Sequence, residues 1–213
     1  MPTSPAPSPD PIHRADRTAL RVSAAIALVC AVVGLVAPVV AAVMPLLTDQ
    51  GLTVELLLAP GATVGDASLA PAIRSITPES ALVSLEISAI SGGALALLLI
   101  ERALIGIIVA LVAASIGYAL LRVSRGEAFH RSLFAVTTMV GAVLSIGTML
   151  AVGLGGLGRM MAASELNELL GGERFVPGFT ADFTPVLVGI AVVGLAYVFR
   201  IGERLQHDTK GLV

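Results

Sequence analysis

The stretch VSAAIALVCAVVGLVAPVVAAVMPLL, from Val22 to Leu47, decides the fold of this chain because none of its residues is charged. Three more apolar stretches follow, at Leu104–Leu121, Leu133–Leu157 and Val186–Phe199. A bilayer core of roughly 30 Å takes about 20 helical residues to cross. Inside that core every backbone polar group must be paired within its own segment. The four stretches therefore predict four membrane-spanning helices.

The composition favours the same class of protein. Hydrophobic residues make up 56% of the chain and charged residues 13%, against about 25% charged in a soluble domain. Buried helices of a soluble protein are the alternative, but they hold about 10–14 uninterrupted apolar residues. The predicted fold is an all-α membrane protein, a bundle of four transmembrane helices with a small β-containing extracytoplasmic loop. The predicted spans are about 20–47, 95–123, 132–158 and 184–202.

Basic residues accumulate at alternate ends of the predicted spans. Nine of the 13 Lys and Arg residues precede span one, lie between spans two and three, or follow span four. They are Arg14, Arg17, Arg21, Arg122, Arg125, Arg131, Arg200, Arg204 and Lys210. Because cytoplasmic flanks retain positive charge, this places both termini on the cytoplasmic side of the cell (inner) membrane. A cleaved signal peptide would leave three spans, but the first stretch is too long for an ordinary signal sequence.

The first outer loop, residues 48–94, is too long to be a simple connection. Within it, Leu52–Leu56 and Val83–Ser88 alternate apolar and polar residues, which is typical of strands with one covered face. We therefore predict a small β element over the outer helix ends, which either caps the bundle or senses a ligand. The other segments are a disordered Pro-rich tail at 1–17, an outer loop at 159–183 and a cytoplasmic tail at 207–213.

Glycines and one cysteine give local predictions. Span three is expected to end in the glycine-dense segment Gly153–Gly158, and Ala162–Leu170 to form a separate short helix that stops at Gly171. Glycine at a membrane helix end permits fraying or a close approach of two backbones. Cys30 is the only cysteine, so an intrachain disulfide is excluded, and we expect it to be a small core residue.

Small residues recur every fourth position in the first three spans. The rows are Ser23, Ala27 and Ala31; Gly106, Ala110 and Ala114; and Gly147, Ala151 and Gly155. Such rows let helix backbones approach closely in lipid. The pattern leaves open whether the rows meet within one chain or between the copies of a homo-oligomer.

Charged residues inside a span would point to function, and Glu101 and Arg102 are the candidates. If the hydrocarbon part of span two begins near Ala103, both charges lie at headgroup level; otherwise they form a buried polar pair. The middles of the spans hold no charge, which argues against a proton relay, an ion pump or a voltage sensor. The three histidines and one cysteine show no metal-ligand spacing. We therefore expect no cofactor and no enzymatic activity.

Two cytoplasmic segments resemble a known family. They are Arg125-Gly126-Glu127-Ala128-Phe129 after span two, and the C-terminal segment Gly202–Val213. Together they resemble the bacterial and archaeal four-span membrane family termed domain-of-unknown-function family 2975, over about residues 20–213. Its pattern has a Gly-Glu/Lys-x-Phe turn between spans two and three and a terminal Leu-Gln-x-Asp/Glu segment. The matching positions, which are candidate interaction or packing residues, are Gly126, Glu127, Phe129, Gly202, Leu205, Gln206 and Asp208.

The resemblance implies a partner rather than an activity. Some family members are encoded beside a small helix-turn-helix regulator, which implies a cytoplasmic protein partner and no direct contact with nucleic acid. A solvated helix end is the alternative explanation of the tail. We predict a non-enzymatic regulatory or sensory component of the lipid bilayer, and the alternative is a transport or permeability accessory subunit. A transporter would show a polar cavity near the midplane formed by several spans.

Overall fold

The computed structural model describes residues 14–48, 51–60, 73–76, 80–85, 90–125 and 131–210. Its helices are α1 (Arg14–Thr48), α2 (Gly92–Ser124), α3 (Arg131–Ala142), α4 (Thr148–Leu170) and α5 (Thr184–Lys210). Its strands are β1 (Leu52–Leu57), β2 (Ile73–Ile76) and β3 (Ser80–Leu85). A π-helical segment, Val143–Gly147, connects α3 to α4, so that the two helices form one continuous rod.

Three helices in the described part of the chain are long and apolar enough to cross a membrane. They are Asp16–Met44, Gly92–Ser124 and Ser132–Leu170. A fourth apolar helix, Thr184–Val198, is shorter and spans roughly 21 Å at about 1.5 Å per residue. These lengths and compositions indicate a multi-pass membrane protein.

Helices α1 and α2 pack antiparallel through small residues. A Cβ on Gly34 would lie 3.2 Å from the backbone nitrogen of Ala110, and Gly106 accommodates the ring of Pro38. Further along, Gly117 faces the carbonyl oxygen of Ala24. The face of α1 toward α2 is lined by Ala24, Ala31, Gly34 and Pro38. Three of these, Ala24, Gly34 and Pro38, belong to no predicted row, whereas Ser23, which does, is exposed.

Helices α3 and α5 pack in the same way. Gly141 and Gly189 face each other so closely that a Cβ on either would lie 2.6 to 2.7 Å from the other's carbonyl oxygen. At the π-helical segment, the Ser145 hydroxyl donates to the Val186 carbonyl at 3.2 Å. The main contacts run from α1 to α2, from α2 to α4 and from α3 to α5. The described helices therefore form an open row, in which α1 packs chiefly on α2 and α5 packs chiefly on α3.

The three strands form an antiparallel sheet in the order β1-β3-β2. Leu52 pairs with Leu85 and Leu57 with Ser80. The inward side chains pack on α2 and α4, where Phe175 and Leu166 complete a shared core. The buried members are Leu52, Val54, Leu56, Ala81, Val83, Ile90, Leu98, Ala162, Ala163, Leu166 and Phe175. The sheet, the C-terminal half of α4 and the loop after it form one unit, called here the head.

The structure confirms the strand predicted at Leu52–Leu56 as β1. It places β3 at Ser80–Leu85, so this strand begins three residues before the predicted segment Val83–Ser88, and residues 86–88 lie outside the described part of the chain. Strand β2 was not predicted. The structure also differs from the prediction at the helix ends. Helix α1 begins at Arg14, inside the predicted tail, and α5 continues to Lys210. Cys30 is exposed on the outer face of α1, so its expected burial is wrong. The remaining parts of the predicted tails, 1–13 and 211–213, lie outside the described residues.

The glycine-dense segment Gly153–Gly158 lies inside α4 and does not end it. The separate short helix predicted at Ala162–Leu170 is therefore the last part of α4. The helix ends at Gly171, as predicted, with a positive φ of 65°. That left-handed conformation favours glycine at the C-terminus of a helix. The helix continues through this segment because Gly155, Gly156 and Gly158 face α2 and the following loop, which their missing side chains allow to approach.

Candidate functional site

An ion pair connects α2 to α4 where the helices meet the head. Nη1 of Arg159 donates to both carboxylate oxygens of Glu101, at 3.0 Å to Oε1 and 2.9 Å to Oε2. Glu101 is only 8% exposed. A carboxylate this buried requires a partner because removing it from water is costly. The pair therefore holds together two helices that are distant in sequence.

Gly155 makes the room for this carboxylate. A Cβ at this position would collide with the carboxyl group of Glu101. Gly155 and Arg159 lie four residues apart and so share one face of α4. Glycine forms the floor of the site and arginine supplies the charge. On the neighbouring faces, Gly156 contacts the ring of Phe179, and Gly158 contacts Leu98.

Arg102, the next residue along α2, points to the head. Its guanidinium donates from Nη2 to the backbone carbonyl of Thr53 in β1, and the side chain is half-buried. Adjacent helical positions face directions about 100° apart, so two consecutive side chains can reach two different elements. One turn of α2 is thereby connected both to α4 and to the sheet.

The start of α2 is fixed by a second contact with α4. Ser91 is the N-cap residue, and its hydroxyl accepts from the amide of Ala94 at 3.2 Å. The carboxylate of Glu165 accepts from the Ser91 amide at 2.6 Å. The capping hydroxyl and the carboxylate together satisfy donors that would otherwise be unpaired at a helix N-terminus. Helices α2 and α4 are thus held by polar contacts at two levels, through Glu165 and Glu101.

Asn167 holds the loop that follows α4. Its Oδ1 accepts from the amides of Arg174 and Phe175, both at 3.0 Å, and its Nδ2 donates to the Phe175 carbonyl at 2.7 Å. The loop also pairs with the end of β1, since Val176 donates its amide to Leu57. These bonds place the Phe175 ring in the core of the head, where it is 1% exposed.

A cavity of about 720 Å³ opens on the head beside this loop. Asn167 and Phe175 lie on its wall, and Glu168 and Glu173 contribute carboxylates. Its volume lies in the range of small-ligand pockets, about 300–1,000 Å³. Among the described residues, no group of three or more His, Cys, Asp and Glu side chains is placed to hold a metal ion.

Aromatic and basic residues cluster at the opposite end of the row. Nε of Arg122 donates to the Tyr118 hydroxyl at 3.0 Å, and that hydroxyl lies 3.3 Å from Oγ of Ser132. The guanidinium of Arg200 lies 4.9 Å from the centre of the Phe134 ring. These contacts join α2 to α3 and α3 to α5.

The structure separates the predicted site residues into three groups. Glu101 and Arg102 lie at the junction with the head, where Glu101 is buried and Arg102 is half-buried, and each has its own hydrogen-bond partner. Whether the two charges lie at the level of the lipid headgroups stays a prediction. Gly126, Glu127 and Phe129 lie outside the described residues. Gly202, Leu205, Gln206 and Asp208 belong to the last turns of α5, where only the backbone is described.

Three residues of this junction were not predicted from the sequence: Arg159, Glu165 and Asn167. Arg159 was expected in an outer loop because the glycine-dense segment was expected to end the helix. The sequence did contain a signal for this contact. Gly155 and Arg159 are four residues apart, and the neighbouring span carries an acidic residue, Glu101, that needs a cationic partner. Comparisons with protein families, curated proteins and solved structures gave no match.

Proposed function

We propose that this protein is a non-enzymatic regulatory or sensory component of the cell membrane. In this proposal it has four spans, both termini in the cytoplasm and the head outside. The observation that carries the proposal is the pair of consecutive residues Glu101 and Arg102. Through them a single turn of α2 contacts both Arg159 in α4 and the Thr53 carbonyl in β1. A change in the head would therefore act directly on the helix that leads to the cytoplasmic side.

The charge distribution supports this orientation. In the sequence, the segments predicted to be extracytoplasmic, together with the outer end of span two, contain only four of the 13 basic residues but ten of the 15 acidic residues. Antiparallel packing brings the N-terminus of α1, the C-terminus of α2, the N-terminus of α3 and the C-terminus of α5 to the other end. Such asymmetry is typical of a membrane protein with its basic end in the cytoplasm.

The shorter fourth span, in α5, fits an orientation in which the C-terminus lies in the cytoplasm. The apolar part of α5 ends near Val198, and the helix continues to Lys210 through charged residues. A helix that leaves the membrane without a break can transmit movement to a partner bound at its end. We assign the tail, from Gly202 onward, as the contact with a cytoplasmic regulator. This assignment follows from the resemblance of the tail to domain-of-unknown-function family 2975.

A transcription experiment tests the regulatory function. Cells lacking the gene are complemented with the full chain or with a chain ending at Ile201, and their transcript profiles are compared. We expect the truncated protein to reach the membrane in normal amount and to leave the profile of the deletion strain uncorrected. G153A, in an open position of α4, is the matched control and should restore the wild-type profile.

Solute flux distinguishes the alternative function. The full chain is reconstituted into vesicles, and the release of encapsulated small ions and sugars is measured with and without the E101M substitution. If the protein is a regulatory component, vesicles that contain it should release the encapsulated solutes no faster than vesicles without protein. Flux that depends on Glu101, together with normal transcription in the truncated strain, would favour the transport or permeability subunit instead.

A further inference from the structure

The end of the row opposite the head carries a band of arginines. Those with described side chains are Arg17 and Arg21 on α1, Arg122 and Arg125 at the end of α2, and Arg200 on α5. Four of the five are exposed, and Arg122 is half-buried. In the sequence, nine basic and five acidic residues fall in the segments that we predicted to be cytoplasmic. The end is therefore net positive.

The open row spreads these charges along a line. Because α1 packs on α2 and α5 packs on α3, the arginines of the outer helices lie on opposite flanks. Neighbouring helix axes are about 8–10 Å apart. Charges arranged in this way do not converge on one compact anion. They match a surface on which negative groups recur at similar intervals, and the headgroups of a lipid leaflet form such a surface.

Two of the arginines lie against aromatic rings. The guanidinium carbon of Arg122 is 5.4 Å from the centre of the Tyr118 ring, and that of Arg200 is 4.9 Å from the centre of the Phe134 ring. Tyr197 packs edge-on against Phe134, with ring centres 5.7 Å apart. Aromatic side chains concentrate at the level of lipid headgroups, and a ring face restricts the orientations of a guanidinium above it.

We propose that the arginine band (Arg17, Arg21, Arg122, Arg125 and Arg200) binds the phosphate groups of anionic phospholipids in one leaflet. This inference rests on the proposed membrane placement. The band holds the end of the row at a fixed depth, and anionic lipid adjusts how firmly that end is held. Each arginine at such a surface strengthens binding about fivefold, and guanidinium groups suit phosphate because they present several donors in one plane.

The test measures lipid selectivity around the full chain. The protein is reconstituted into phosphatidylcholine vesicles that contain a trace of spin-labelled phosphatidylglycerol or spin-labelled phosphatidylcholine. Electron paramagnetic resonance then gives the fraction of each label immobilised by the protein. We expect phosphatidylglycerol to associate about fivefold more strongly than phosphatidylcholine at low salt. Because salt screens exposed charges, the preference should shrink at high ionic strength.

Two variants separate charge from fold. R17Q/R21Q/R200Q removes three exposed arginines and should clearly reduce the preference without abolishing it, because Arg122 and Arg125 remain. R17K/R21K/R200K keeps the charges and should retain most of the preference. Circular dichroism checks that both variants keep the helix content of the wild type. Equal association of the two labels with the wild type, or an unchanged preference in the Gln variant, would overturn the proposal.

Two further outcomes are distinguished in the same vesicles. If inorganic phosphate displaces phosphatidylglycerol more than chloride does at equal ionic strength, the band is a site for free phosphate and the lipid proposal is wrong. If the protein does not float with the vesicles in a density gradient, the membrane placement itself fails. A protein that floats but shows no preference refutes the lipid inference alone.

Discussion

Arg159 contacts both carboxylate oxygens of Glu101 through a single nitrogen, at 3.0 and 2.9 Å. The other nitrogens of the guanidinium are not needed for this contact, and the arginine side chain keeps 21% of its surface exposed. The pair lies directly above Gly155. The spacing of α2 and α4 at this level therefore depends on one carboxylate, one guanidinium and one missing side chain.

Removing either charge should weaken this contact strongly. E101M leaves Arg159 without its carboxylate, and R159M leaves a buried carboxylate without a cation. We expect each to lower the free energy of unfolding by about 3 kcal/mol. The double variant E101M/R159M should recover most of that loss because no unpaired buried charge remains. Unfolding in mixed detergent micelles gives the free energy of unfolding of the wild type and the three variants. If the loss in the double variant equalled the sum of the two single losses, Glu101 and Arg159 would not interact.

Gly155 offers a steric test of the same site. In G155A the new methyl group must displace the Glu101 carboxylate, and we expect a loss of about 1–3 kcal/mol in the free energy of unfolding. In the E101A background the same change should cost far less because the obstructing side chain is gone. G153A is the control on the same helix. Nothing lies within 4 Å of its added Cβ, so it should stabilise the protein slightly.

The sequence was most informative where local rules decide the structure. Alternation predicted β1 and β3 because a strand with one covered face needs it. Apolar length predicted the helices, and Gly171 predicted the end of α4. These features depend on the residues themselves and on the immediate chain.

Features that depend on the packing of distant segments were not predictable in this way. A glycine-dense segment is compatible with a helix end or with a close helix contact, and only the position of α2 decides between them. The same holds for Cys30, whose burial depends on which face of α1 meets α2. Strand β2 is four residues long and shows too little alternation to be recognised alone.

Asn167 provides a test of the head. Replacing it with alanine removes three hydrogen bonds to the backbone of Arg174 and Phe175, each worth about 1 kcal/mol. We expect faster hydrogen exchange in the peptide that covers 173–178, with little change in α1. E168A, on the exposed side of the same turn, is the control. Unchanged exchange in the asparagine variant would show that Phe175 burial alone holds the loop.

Asp182 gives a pH prediction outside the helices. Hydrogen bonds from the side chain and the backbone of Thr184 lower the pKa of Asp182 below its ordinary value, and the amide bond measures 2.8 Å. A lowered folded-state pKa adds stability that is complete above the unfolded-state pKa of about 3.9. This stability is lost as the pH falls through the folded-state pKa.

The start of α5 should therefore loosen only in acid. Amide exchange at Thr184 and Val186, the residues on either side of Pro185, should be slow at neutral pH in the wild type and faster in D182A. At low pH the exchange rates of the wild type and D182A should become equal. T184V should raise the pKa of Asp182, measured by NMR titration, because one of its donors is removed. An unchanged pKa in T184V would show that the backbone amide alone stabilises the carboxylate.

The orientation of the chain can be measured with single cysteines, since Cys30 is the only native one. In a C30S background, T180C lies in the exposed loop before α5, and R125C lies at the exposed C-cap of α2. We expect a membrane-impermeant maleimide to label T180C in intact cells and R125C only after permeabilisation. The native Cys30 should stay unlabelled in both conditions because lipid, and not water, covers the outer face of α1. Labelling of R125C in intact cells would invert the proposed orientation, and it would place the basic end of the row on the side that insertion normally keeps free of positive charge.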